Sequence, residues 1–269
     1  MKFLTTLALA AFSISAFSQS YLILNNGVTL TLDRNGMVYD LNNFILPFDV
    51  SFKGAQYLGE KSKLVTVDEK GILYKKDEEI SKVKGTGANY LFDKSFNLIT
   101  IDSKGYYYNF EKNDDFKKTT AFGGKFFVAN NQLYTITATG NYILKAIPGL
   151  NPASITTLGG NYFLTKEKVL YTISKDGYVY AKDLKVNSIA KLGGNFFVTD
   201  ANLLYSISED GLLILPSLPA NFKLSNLSKL GSNFMLDNEG RIFVVDSKGN
   251  IFEREVKEHN LKNAKVLSI

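Results

Sequence analysis

The chain has 269 residues, 45% of them hydrophobic and 13% aromatic, with a formal net charge of +5. Apolar content on that scale supports a substantial core and excludes intrinsic disorder. The basic excess is small and spread out, which argues against a nucleic-acid partner, and the absence of cysteine excludes disulfides, thiolate metal sites and a lipobox anchor.

Residues 1–18 read as a secretory signal. One lysine precedes an apolar run from Phe3 to Phe17, and Ala16 and Ser18 place small residues at −3 and −1 for cleavage near Ser18/Gln19. The run is shorter than the roughly 20 residues of a spanning helix, and no later stretch approaches that length. The expectation is a periplasmic or secreted bacterial protein without membrane insertion, residues 19–269 forming its single domain.

From there the chain repeats itself. Glycines 36, 71, 105, 140, 177, 211 and 249 recur at intervals of 34 to 38 residues, and the stretch GGNYFLTKEKVLYTISKDGYVYAKD from Gly159 shows the unit in full. A period of this size means a solenoid, a propeller or an array. Each copy holds short β-branched and aromatic segments with period-2 alternation, such as Leu170 to Ser174 and Tyr178 to Tyr180, and none with a helical period. The prediction is an all-β, seven-bladed β-propeller of about 35-residue repeats.

Each copy also carries a four-residue turn, such as Asp33-Arg34-Asn35-Gly36 or Ser174-Lys175-Asp176-Gly177. Its first side-chain oxygen suits an Asx or Ser/Thr turn, and its glycine a position of positive φ. One or two oxygens per turn are too few for a calcium loop. A further strand, such as Asn187 to Leu192, runs directly into Gly-Gly. Two glycines cannot cross a blade of about 14 Å, but they can close a hairpin. That strand is therefore paired with the one after the diglycine and placed innermost. The N-terminal blade then lacks its first strand, and residues 263–269 are expected to supply it and close the ring.

The run Gly-Gly-Asn-Phe-Phe-Val from Gly193, with Leu-Tyr-Ser-Ile-Ser-Glu-Asp-Gly from Leu204, resembles the general β-propeller repeat of WD40-like, RCC1-like and PQQ-like proteins. The likeness covers the mature chain and implies the fold alone. Tryptophan is absent and His259 is the sole histidine, so the family signatures are missing and no functional residue carries over.

Catalytic chemistry has little to work with. His259 lies in a charged stretch and reads as a solvated loop residue, and a zinc site would need further ligands. No cofactor and no metal is expected. The acidic clusters at residues 77–79 and 114–115 are interleaved with lysine, as in solvated loops.

Antiparallel blades place the diglycine and glycine-ended turns on one face, nearly uniform from copy to copy. The opposite face carries variable connections, all five prolines, and the apolar residues Phe44, Phe48, Phe116, Leu150 and Phe222. Loops on a rigid scaffold are where specificity commonly sits, so these residues are the candidate binding surface. The alternative is that they tuck beneath the blades as satellite core. A second candidate is the ring Gln56, Asn89, Lys125, Asn161, Asn195 and Asn233, which could hold a polar ligand around the axis or could serve the diglycine turn. The expected function is a non-catalytic binding or scaffold protein that engages a protein or envelope polymer. The alternative is a carboxylate-based glycan hydrolase or lyase acting in the central pocket.

Overall fold

The computed structural model describes residues 21–24, 28–45, 50–80, 82–110, 113–256, 259 and 261–263. Residues 1–18, read from sequence as a signal, and Phe48 lie outside them, as does the expected closing strand 263–269 except for Asn263, which ends a 3-10 turn, Leu261–Asn263.

Seven antiparallel sheets follow one another along the chain, over residues 21–45, 50–79, 83–110, 119–145, 155–185, 189–214 and 227–254. They are the seven blades of a β-propeller. Blades two to seven have four strands each in simple meander order; the first has three among the described residues, Tyr21–Ile23, Val28–Leu32 and Val38–Ile45. The strand before each diglycine pairs with the strand after it, as Ile189–Leu192 does with Phe196–Thr199. The hairpin expected at Gly-Gly is therefore present in the blade to which it was assigned.

The second and third strands of each blade form the core. In the fifth blade Tyr162–Thr165 is buried throughout and Val169–Ile173 nearly so, whereas the flanking strands alternate between partial burial and exposure. A sheet buried on both faces needs a neighbour on each side, and adjacent blades supply it. Tyr90, Phe92 and Leu98 of the third blade pack with Phe127, Ala129, Tyr134 and Ile136 of the fourth. Leu22, Leu30 and Leu32 of the first pack with Phe234, Ile242 and Val244 of the seventh, so the last blade meets the first through apolar core.

Hydrogen bonds repeat the same joint from blade to blade. Buried Tyr57 and Tyr90 each donate a hydroxyl to carbonyls of the next blade, Tyr57 to Tyr90 O at 2.7 Å and Tyr90 to Phe126 O at 2.6 Å. Burial among apolar neighbours raises the pKa of both phenols well above the ordinary value, which keeps them donors. A second series runs from a strand hydroxyl to the next turn glycine: Thr31 to Gly71 O at 2.6 Å, Thr66 to Gly105 O at 2.7 Å and Thr172 to Gly211 O at 2.7 Å. The seventh blade has Val244 at that position. Arg254 takes over, its Nε donating to Gly36 O at 2.8 Å.

Three connections on the variable face wind into short 3-10 turns, Asp114–Lys118, Pro152–Ser154 and Leu224–Asn226. Asn113 and Asn151 cap the first two through side-chain oxygens. His259 is not a solvated loop residue. Its Nε2 meets Asp40 Oδ2 at 2.5 Å with little of the ring exposed, which ties the segment after the last strand to the first blade.

Candidate functional site

The four-residue turns behave as their sequence requires. Asp33 Oδ1 accepts the backbone N–H of Asn35 at 2.9 Å and of Met37 at 2.8 Å, and Asp68 and Asp102 repeat the pattern. All seven turn glycines have positive φ, between 73° and 85°. These aspartates are engaged by their own turns, the structural role expected of them.

The second residue of each turn does something the sequence does not announce. Arg34 N donates to Glu69 O, Glu69 to Ser103, Ser103 to Ala138, Ala138 to Lys175, Lys175 to Glu209, Glu209 to Ser247, and Ser247 back to Arg34. The N···O distances lie between 2.6 and 3.0 Å. These seven backbone bonds form a closed circle. A related series links the diglycine segments: Ala88 N to Gly124 O, Lys125 N to Gly160 O, Gly160 N to Gly194 O and Asn195 N to Ser232 O.

Such close approach explains the diglycines, and the explanation corrects the one read from sequence. Glycines 159, 160, 193 and 194 do not have positive φ, and neither do the asparagines after them. A Cβ on Gly160 would stand 2.6 Å from Gly194 Cα, and one on Gly193 would enter the Phe196 ring. The second glycine is needed for clearance between blades and the first for clearance of the aromatic ring in its own blade, and neither for a positive φ.

The turns enclose a cavity of about 370 Å³ lined by residues of all seven blades. No residue of the strand preceding a diglycine lines it, although that strand was expected beside the axis; the inter-blade bonds bring the turns there instead. Two rings of side chains surround the space. Gln56, Asn89, Lys125, Asn161, Asn195 and Asn233 form one, and the circle residues Arg34, Glu69, Ser103, Ala138, Lys175, Glu209 and Ser247 form the other.

In the first ring, Asn89 Nδ2 makes long contacts to Ile101 O and Thr137 O, while its Oδ1 is buried without a partner. The Oδ1 atoms of Asn161 and Asn233 are likewise buried and unpaired, and these two residues are 2% and 7% exposed. Lys125 is half-buried, and its ammonium makes no hydrogen bond to a described residue. Desolvation lowers its pKa, with Glu209 and Asp176 opposing the shift and Lys175 adding to it. The second ring is laced by ion pairs. Arg34 reaches Glu69 and Glu209, each at 3.5 Å, and Lys175 meets Glu209 at 3.0 Å and Asp210 at 3.4 Å. Hydrogen bonding to Glu209 is the main cause that raises the Lys175 pKa. These pairs are partly solvated and contribute little stability, but they fix where charge sits around the cavity.

Just beyond each turn glycine stands a residue held by the same turn. Ile72 and Tyr106 donate their N–H to Asp68 and Asp102, and Tyr178 donates to Ser174 Oγ. Five of these seven positions are exposed apolar side chains: Met37, Ile72, Tyr106, Tyr178 and Leu212, with Tyr106 at 60% and Tyr178 at 57%. A collar of apolar surface therefore accompanies the polar cavity on the face whose sequence looked uniform.

The predicted loop residues are placed differently. Phe116 is fully buried, edge-on to Phe92, Phe127, Tyr134 and Tyr142. Phe222 is 9% exposed and packs edge-on to Phe243. Leu150 packs against the core between the fourth and fifth blades. Phe44 lies in the last strand of the first blade, and Phe48 falls outside the described residues. The three whose surroundings are described sit beneath the connections as core.

No family model and no curated protein matches the chain. Among solved structures it is similar to a virginiamycin B lyase from Staphylococcus aureus, with 14% identity, a TM-score of 0.36, and coverage of 88% of this chain and 94% of that one. It is also similar to a streptogramin B lyase, with 13% identity, a TM-score of 0.34, and coverage of 88% and 93%. The extracellular domain of a one-component system from B. thetaiotaomicron matches at 12% identity and a TM-score of 0.33, covering 91% of this chain and 39% of that one. The chain is a β-propeller with a polar axial cavity.

Proposed function

We propose that the protein is an exported, non-catalytic binding propeller for an envelope polymer, held on the turn face over the axial cavity. A protein or a polymer was expected from sequence; the combination on this face favours the polymer. Unpaired carboxamides in a concave site suit hydroxyl groups, and exposed tyrosines suit the apolar faces of sugar rings. The observation that carries the reading is the ring of carboxamide side chains, Gln56, Asn89, Asn161, Asn195 and Asn233, that lines the cavity.

The test compares the two faces by affinity electrophoresis through purified envelope polysaccharide. Tyr106→Ala with Tyr178→Ala should lower retention about tenfold with little change in melting, since both side chains are exposed. Phe116→Ala should cost about 3–5 kcal/mol of stability yet leave retention unchanged below its melting point. The reverse pattern would move recognition to the variable face.

One observation favours a second reading. Arg34 spans two carboxylates at the cavity, Glu69 and Glu209, and a glycan hydrolase or lyase would need such groups converging. Product released from polysaccharide by the wild type but not by Glu209→Gln would establish the enzyme.

A further inference from the structure

We infer that the axial cavity takes a singly charged sugar acid, a hexuronate, with Lys125 as its counter-charge. The inference rests on the cavity being the binding site proposed above.

The repeat makes Lys125 conspicuous. Asparagine or glutamine occupies this position in the second, third, fifth, sixth and seventh blades, and each side chain lines the same cavity. Asparagine would satisfy the fold, because the inter-blade bond here uses the backbone of Lys125, N to Gly160 O at 2.7 Å. The lysine therefore places a charge where the architecture asks for none. Its cost is visible in the desolvation that lowers its pKa. It makes no hydrogen bond to a described residue, whereas Lys175 and Arg34 in the other ring are both paired with carboxylates. Glu209 and Asp176 act on this cation only through space, so its direct contact is left for an anion that enters the cavity.

The rest of the lining limits what that anion can be. Asn161 and Asn233 line the cavity, and a carboxamide serves a hydroxyl as donor or acceptor. The ligand should therefore carry several hydroxyls as well as its charge. Carboxylates outnumber cations two to one among the lining residues, an excess that opposes any anion and opposes a doubly charged phosphate more than a single carboxylate. A cavity of about 370 Å³ admits one hexose ring. Tyr106 and Tyr178, three residues or fewer from lining positions of their own turns, offer rings to the next unit of a chain. Free hexuronate and the terminal residue of an acidic polysaccharide share this chemistry.

Isothermal titration of the mature protein with galacturonate, galactose, trigalacturonate and inorganic phosphate tests the inference. Galacturonate should bind at least about tenfold more tightly than galactose. Lys125→Asn, which installs the residue of neighbouring blades and should fold, should remove that preference while keeping the galactose affinity. Asn161→Ala should weaken both sugars. Trigalacturonate binding more tightly than the monomer would identify a chain end, and equal affinities a free sugar acid; either supports the proposal. Equal binding of galactose and galacturonate by the wild type, or a preference that survives in Lys125→Asn, would overturn the sugar-acid inference and leave the cavity as a sugar site. So would phosphate displacing galacturonate at lower concentration. Binding of neither sugar, with collar variants that retain polysaccharide normally, would overturn the cavity reading as well.

Discussion

Gly160 and Gly149 show two different reasons for glycine, and the difference can be measured. Gly160 faces Gly194 across a blade joint, where a Cβ would stand 2.6 Å from backbone that has no room to move. Gly149 has a φ of +79° and nothing within 4 Å of its would-be Cβ. Gly149→Ala should therefore cost about 1–2 kcal/mol, the penalty of a left-handed backbone alone. Gly160→Ala should cost more than about 3 kcal/mol, because two blades must separate. Urea denaturation separates the two, and equal costs would refute the clearance argument. The glycines themselves were plain in the sequence. Their purpose was not, since a single repeat shows a hairpin and hides the neighbouring blade. Lys125 was legible in another way, as the basic member of an otherwise amide series, although only the structure shows the space it enters.

At the level of strands and turns, the period was enough to place nearly every element. Turn oxygens, turn glycines and alternating strands are local properties, and each repeat states them again. The exception is the joint between the last blade and the first, where Val244 stands in place of a hydroxyl and Arg254 serves Gly36 O. Arg254→Ala should cost about 1–2 kcal/mol by leaving that part-buried carbonyl unpaired. Val244→Thr should recover part of the loss in the Arg254→Ala background and little on its own. A thermal-denaturation double-mutant cycle without coupling would show that the two residues do not serve the same carbonyl. The sequence left two readings of the variable connections open for a comparable reason. Phe116 and Phe222 look superfluous in a loop, but Phe116 packs from a 3-10 turn onto rings of the third and fourth blades, and Phe222 packs onto Phe243 of the seventh. Apolar residues in a connection identify burial only once the partner surface is known.

Across the whole molecule, the circle of backbone bonds through Arg34, Glu69, Ser103, Ala138, Lys175, Glu209 and Ser247 joins every blade to the next. Turn amides ordinarily exchange with solvent early, because local opening exposes them. These seven should instead exchange only with global unfolding, and Ser247 as slowly as Glu69, which hydrogen-exchange mass spectrometry can resolve. Faster exchange at Ser247 by orders of magnitude would make the first and last blades the weak point. This circle was illegible in the sequence because it uses main chain only, so arginine, glutamate, serine, alanine and lysine all serve equally. That indifference has an electrostatic consequence. A helix sums its peptide dipoles toward one end, whereas dipoles running head to tail around a ring cancel. The circle thus adds almost no field of its own along the axis, and its contribution leaves the sign of the potential there to side chains that the ring does not constrain. Exchanging Glu69 or Glu209 for a neutral or basic residue could change what the cavity attracts while the main-chain circle stays intact, so one scaffold could be turned to ligands of opposite charge.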